Sequence, residues 1–319
     1  MFEVELEPDL DLPGAIECGS ARKFLCQPEG CPHLSENPRE RCQVYERRPR
    51  ACRQFPFRIS ETPGGQYVGA SFACTAIQTS QGPPLQADSR NWSELTVIRE
   101  HPPLQCSDDG TPCAWTDYQH IEEYLADQLC FPDGAFAAAI QLSLALSQGR
   151  LSQLGSLPLQ WLSEDIEATC QRTIRGLLAL MESQNQSQQM RLVLEAQVHG
   201  GRYWSEAFGC WAEPRKIQQQ MQTEKDDHWH DVEPFFRHLL FRKFLWAGPS
   251  VHARCCLLPL LNEILRYWSW QQAVDKGTAA RREHRLESIR EMERRLTFHA
   301  SGWEDYLRPL GRAFLSGVR

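Results

Sequence analysis

Six cysteines, Cys18, Cys26, Cys31, Cys42, Cys52 and Cys74, are packed between residues 18 and 74, and the other seven of the thirteen are spread over the rest of the 319-residue chain. A stretch with that thiol density folds around something the thiols share, which is either a disulfide framework or a metal. Thirteen is an odd number, and the opening MFEVELEPDLDLPG carries five acids with no base before Arg22, the reverse of a secretory signal. The expected location is the cytoplasm. Thiols stay reduced there, so metal binding is the leading explanation for the cluster.

The core of the cluster is CPHLSENPRERCQVYERRPRACRQFPF, from Cys31 to Phe57, followed by Cys74 in GASFACTAI. Intervals of 11, 10 and 22 residues between these four thiols are too wide for a zinc finger built from paired CxxC knuckles. They still suit a site, because thiolates are soft donors for zinc or an iron–sulfur cluster. A bound metal would also replace the apolar core that this Pro- and Gly-punctuated segment lacks. The expected ligands are Cys31, Cys42, Cys52 and Cys74, with Cys18 and Cys26 as further candidates. Seven arginines, Arg39, Arg41, Arg47, Arg48, Arg50, Arg53 and Arg58, crowd the same stretch. Guanidinium groups there would lower thiolate pKa values and offset the charge of a four-thiolate site. An ordinary solvated basic surface explains most of them, with Arg53, beside Cys52 and Phe55-Pro56-Phe57, as the expected exception. Phe55–Ser60 and Gln66–Phe72 alternate around Thr62-Pro63-Gly64-Gly65 and predict a hairpin. A turn centred near Pro63 makes paired positions sum to about 126 and sets Cys52 opposite Cys74.

These residues carry a resemblance. Cys31-x-x-Leu34, then Cys42-Gln43-Val44-Tyr45-Glu46-Arg47-Arg48-Pro49, then Cys52-Arg53-Gln54-Phe55-Pro56, then a lone Cys74, resemble in order and spacing the zinc- or iron-chelating cysteine-cluster family of the YkgJ type. That family includes the flagellin lysine-N-methylases. The resemblance covers Cys18–Cys74. The tandem CxxCxxCC motif typical of the family is absent here, and Cys18 and Cys26, with seven residues between them, are the stand-ins. The resemblance implies a [4Fe-4S] cluster or Zn2+, with its methylase branch favouring iron–sulfur. That branch also implies an alternative activity, S-adenosylmethionine-dependent lysine N-methylation of a protein substrate, with no catalytic or cofactor-binding residue assigned. A lysine must lose its proton before attacking a methyl sulfonium, so such a site needs a carboxylate, a tyrosine or an aromatic wall by the amine. Tyr203-Trp204 and Glu206, after Gly200-Gly201, are one such set.

From Tyr118 onward the apolar period is helical, predicting helices over 118–130, 135–149, 158–182, 186–198, 212–223, 231–247, 250–272, 279–298 and 303–315. The fold class expected is mainly α, with a Cys-rich metal-binding domain of loops and a hairpin over 1–116 and an all-helical domain over 117–319. The apolar runs Gly134–Ser147 and Cys255–Leu265 fall short of the ~20 residues a membrane span needs. A net charge of -7 offers no field for nucleic acid, and no membrane or nucleic-acid partner is expected. Trp161, Trp204, Trp211, Trp229, Trp246, Trp268 and Trp270 load the helical half with rings that mostly belong in a core, the alternative being a groove for a protein substrate or partner.

Further thiols and acids admit two readings. Cys106-x6-Cys113 sits in a turn-rich loop and either extends the metal site or stays unliganded. Cys255-Cys256, about 100° apart on a helix, read as core residues, as do Cys130, Cys170 and Cys210. Asp226-Asp227-His228-Trp229-His230-Asp231 offers metal donors, but is better explained as an acidic helix start. Arg281–Arg295 pairs its charges at helical spacing, as a solvated face does. No Ser/His/Asp set, P-loop or HExxH appears in the sequence.

Overall fold

The structure, a computed structural model, describes residues 2–6, 15–18, 22–27, 43–79, 97–98, 104–157, 164–183, 187–223, 228–246, 249–298 and 300–317. The chain opens on a three-stranded antiparallel sheet absent from the sequence reading: β1 (Phe2–Leu6), β2 (Ala15–Cys18) and β3 (Arg22–Gln27), in the order β1-β3-β2. The FEVEL run of β1 alternates apolar and acidic residues at the strand period, a signal that its acidity masks. One helical turn, α1 (Arg50–Gln54), leads into the expected hairpin of β4 (Phe57–Thr62) and β5 (Gly65–Ala70), and the short α2 (Thr75–Gln78) follows. A two-residue strand, β6 (Val97–Ile98), lies parallel to β4.

The hairpin register differs by one residue from the expected one. Phe57 pairs with Ala70 and Thr62 with Gly65, so paired numbers sum to 127. The loop is the two residues Pro63 and Gly64, closed by Thr62, whose Oγ1 accepts from Gly64 N at 3.2 Å and donates to Gly65 O at 3.0 Å. Gly65 takes a φ of 115°, open to glycine, and the Trp115 ring lies so close over Gly64 that a Cβ there would come within 2.6 Å of it.

Helices make up the rest: α3 (Trp115–Gln128), α4 (Gly134–Ser147), α5 (Glu164–Ser183), α6 (Ser187–His199), α7 (Pro214–Thr223), α8 (His228–Phe241), α9 (Val251–Asp275), α10 (Arg282–Phe298) and α11 (Ala300–Gly317). Each answers one of the nine expected segments. The largest difference is α8, which stops at Phe241 because Lys243 adopts a left-handed φ of 66° and starts a 3-10 turn, Phe244–Trp246. Between α6 and α7 a short hairpin, β7 (Tyr203–Ser205) with β8 (Cys210–Ala212), interrupts the helices. The axis of the helical half is α9, buried around its whole circumference and packed on α4, α5, α7, α8, α10 and α11. Ser250 caps it by accepting from Ala253 N. Among the described residues no helix is long and apolar enough to cross a membrane.

The β4–β5 hairpin rests on this helical core. Phe72 packs edge-on to Phe235 at 5.5 Å, and His238 Nε2 lies 2.8 Å from Ala70 N and 2.6 Å from Ala70 O. Ser60 Oγ donates to Arg242 O at 3.1 Å. The Lys243 ammonium sits 4.1 Å from the Tyr67 ring while pairing with Glu122.

Candidate metal centre

The hairpin brings two of the predicted ligands to one end. Ser71 N donates to Pro56 O at 2.7 Å, extending the ladder one step past the strands. Beyond that step each arm turns into a short helix: Cys52 lies on α1, and Cys74 leads into α2, its carbonyl accepting from Ile77 N and Gln78 N at 3.1 Å and its N–H donating to Ser71 O at 3.1 Å. Both thiols are half-buried. They do not face each other across strands as the sum of 126 implied; they sit on two helical turns leaving the same open end of the hairpin. Helical turns at a fixed strand end hold thiolates in place better than a loose loop, which suits a metal that must stay coordinated.

The remaining ligands divide. Cys31 and Cys42 lie outside the described residues. Cys18 and Cys26 lie in β2 and β3, where the Cα register sets Cys18 opposite Arg22 and Cys26 opposite Glu3. Arg22 and Cys26 are four residues apart on one strand, roughly 13 Å at the usual rise. Cys18, paired with Arg22, therefore stands about as far from Cys26 along the sheet. The short α1, which bears Cys52, packs beside β1, the strand whose Glu3 pairs with Cys26. Among the described residues no three His, Cys, Asp or Glu side chains come together as a metal-binding group. The donor set itself, thiolates flanked by arginines, fits zinc or iron. Arg47 and Arg53 are exposed and Arg48 is half-buried, and Phe55, next to Arg53's neighbour Gln54, is 52% exposed.

The competing donors resolve toward structure. His228 is buried, with Nε2 at 3.1 Å from Asn262 Oδ1, and burial drives its pKa down to about 3. Asp231 pairs with Arg285 at 2.6 Å and Arg282 at 3.3 Å; Asp226 and Asp227 lie outside the described residues. Cys255 and Cys256 are fully buried in α9, where burial raises both thiols. Cys210 is buried as expected and Cys170 half-buried, but Cys130, expected in the core, is exposed just past the end of α3, with Arg237 donating to its sulfur at 3.0 Å. Cys106 and Cys113 are buried against each other. Of the tryptophans, Trp229, Trp268 and Trp270 are core, and Trp204 and Trp211 are exposed as an edge-to-face pair at 5.6 Å.

A polar cluster in the helical half escaped the sequence reading. Glu182, at the end of the apolar run of α5, is fully buried; it accepts from Ser205 Oγ at 2.5 Å and from Gln271 Nε2 at 3.5 Å. Burial raises its pKa, partly offset by the Ser205 hydrogen bond and by Arg295. Tyr203 Oη donates to Gln271 Oε1 at 3.3 Å and Gln197 Nε2 to Tyr267 Oη at 3.1 Å, so the cluster docks the β7–β8 hairpin on α9. Tyr203 thus points inward while Trp204 and Glu206 are exposed, and the three do not line one cleft. The available signal was a lone acid closing an apolar helical run.

No curated protein and no solved structure matches this chain. Residues 12–76, about a fifth of the chain and the part that holds all six clustered cysteines, match the model of the CxxCxxCC family, described as a "putative zinc- or iron-chelating domain".

Proposed function

We propose that this protein binds zinc or an iron–sulfur cluster in a reducing, cytoplasmic setting, through thiolates of Cys31, Cys42, Cys52 and Cys74. The reading rests on one observation: the segment similar to a zinc- or iron-chelating domain runs from residue 12 to 76, and within it Cys52 and Cys74 occupy adjoining turns at one hairpin end. The proposal takes the iron–sulfur form first, from the methylase branch of the resemblance. Anaerobic purification followed by metal and sulfide analysis tests it. A brown protein with broad absorbance near ~400 nm is the expected result. A colourless, zinc-loaded protein reverses the choice of metal, and a protein with neither metal in stoichiometric amount overturns the reading. Cys52→Ser and Cys42→Ser should each lower the metal content and the melting temperature. A chelator that strips the metal should expose the N-terminal segment to protease while the helical half keeps its circular dichroism. Lysine methylation is supported by the resemblance alone, and titration of the metal-loaded protein with S-adenosylmethionine decides it.

A further inference from the structure

Two thiols outside the metal segment form a pair of their own. Gln105 and Pro112 make an antiparallel bridge, flanked by hydrogen bonds from Cys106 N to Thr111 O at 2.8 Å and from Cys113 N to Leu104 O at 2.9 Å. On this register Cys106 stands opposite Thr111, and Cys113 lies two residues further along the returning arm. The two side chains therefore share a face as diagonal neighbours. Both are buried, at 3% and 8% exposure, and neither is in a disulfide. The Cys113 thiol leans on the Cys106 sulfur, which holds the Cys106 pKa below and the Cys113 pKa above the ordinary thiol value.

The loop that presents them is clamped from both sides. Asp109 accepts from Thr111 N at 2.9 Å, from Thr111 Oγ1 at 2.7 Å and from Ser107 Oγ. The start of α9 grips the other side: Val251 N donates to Gln105 O at 2.9 Å, His252 N to Cys106 O at 3.0 Å, and Ser250 Oγ to Asp108 Oδ1 at 2.9 Å. Asp109, Gly110, Thr111 and Pro112, the four residues between the bridged arms' thiols and solvent, are exposed. The other neighbouring pair, Cys255 and Cys256, lacks both features, since it diverges around a helix and is sealed in the core.

We propose that Cys106 and Cys113 are a redox dithiol, which small disulfides of the glutathione class oxidise to a disulfide within the loop. The inference does not rest on the metal reading. The Cys106 thiolate attacks one sulfur of the small disulfide, whose S–S bond breaks and releases one thiol after it takes up a proton. Cys113 then gives its proton to solvent and attacks the Cys106 sulfur of the mixed disulfide, releasing the second thiol. The protein loses two electrons and two protons, and one small disulfide becomes two thiols. The depressed Cys106 supplies the attacking thiolate, and the fixed backbone keeps Cys113 within reach to resolve. Oxidation then ties the two arms of a loop whose carbonyls receive the first N–H groups of α9.

The test equilibrates the full-length, metal-loaded protein with glutathione buffers of rising oxidised fraction, followed by alkylation and peptide mass analysis. The expected result is joint loss of alkylation at Cys106 and Cys113 in one two-electron step, with a peptide two hydrogens lighter. Cys113→Ser should abolish that product and leave glutathione on Cys106; Cys106→Ser provides the same check if the first variant folds poorly. Two results overturn the proposal. One is a pair that stays fully alkylatable while exposed Cys130 takes up glutathione. The other is a fall in bound metal when both residues are replaced by Ser, which would make them ligands.

Discussion

His252 shows how much a single buried residue can carry. Its ring lies inside α9 with Nε2 at 2.7 Å from Ser143 Oγ and 3.4 Å from Cys256 Sγ, while Nδ1 has no hydrogen-bond partner and points, like Asp108 Oδ2, toward Gly311 of α11. Burial depresses its pKa from 6.5 to about 4. A histidine depressed on folding contributes stability that is present above the unfolded value and lost as pH falls through the folded one. The affected window is thus pH 6.5 down to 4, and His228, depressed to about 3 by the same cause, acts in the same direction. His252 alone should cost about 2 kcal/mol at pH 5 relative to neutral pH. Urea unfolding of the wild-type protein and of His252→Gln at pH 7 and pH 5 checks this, the variant being expected to lose less stability over the interval. Residue chemistry of this kind was half legible. A His inside an apolar helix announces a buried ring, but its partner Ser143 is 109 positions away, and only packing brings α4 to α9.

Elements meet at junctions that local sequence signals mark without explaining. The expected break between residues 130 and 135 is where α3 and α4 part, with Asp133-Gly134 at the start of α4. The reason for glycine is the carbonyl of Gln128: a Cβ on Gly134 would lie 1.7 Å from that oxygen, a backbone atom that cannot swing aside. Gly134→Ala should therefore destabilise the protein by roughly 2 kcal/mol or more through forced separation of the two helices. Thermal melting measures it, with Ala137→Gly, in the first turn of the same helix, costing at most about 1 kcal/mol for comparison. The β4–β5 hairpin teaches the same lesson from the other side. Alternation located both strands, but whether the turn centred on one residue or two depended on how Thr62 closes it, and the helical turns beyond the strand ends, α1 and the start of α2, carry Cys52 and Cys74 away from the facing positions expected.

On the scale of the molecule, the hairpin meets the helices at a residue that also makes a buried ion pair. Arg242 Nη1 lies 2.5 Å from Glu293 Oε1, linking the end of α8 to α10, and the same Arg242 carbonyl receives Ser60 Oγ of β4. Gly69 of β5 passes so close that a Cβ there would sit 2.7 Å from Arg242 Cβ. Removing one partner strands the other charge in the interior, so Glu293→Leu should cost about 3–5 kcal/mol, and adding Arg242→Met should recover a large part of it. Denaturant titration of the two singles and the double completes the cycle; additive losses would show that the pair is not energetically coupled. The contact matters for the proposed metal centre because it anchors the strands from which the turns of Cys52 and Cys74 emerge.

Short-range pattern determined what kind of parts this chain has. Apolar periodicity set the helices from α3 to α11, alternation set the β4–β5 hairpin, and cysteine density with the Cys42–Pro49 and Cys52–Pro56 elements set the chelating segment, because each depends on residues within a few positions of one another. Tertiary structure alone decided which parts meet. The pairing of Cys106 with Cys113, the seat of Glu182 under Ser205, the packing of Phe72 on Phe235 and the separation of Cys18 from Cys26 across the β2–β3 register all follow from register and packing. No periodicity encodes them, because a strand shifted by one residue or a helix docked on another face keeps the same local pattern while exchanging every long-range neighbour.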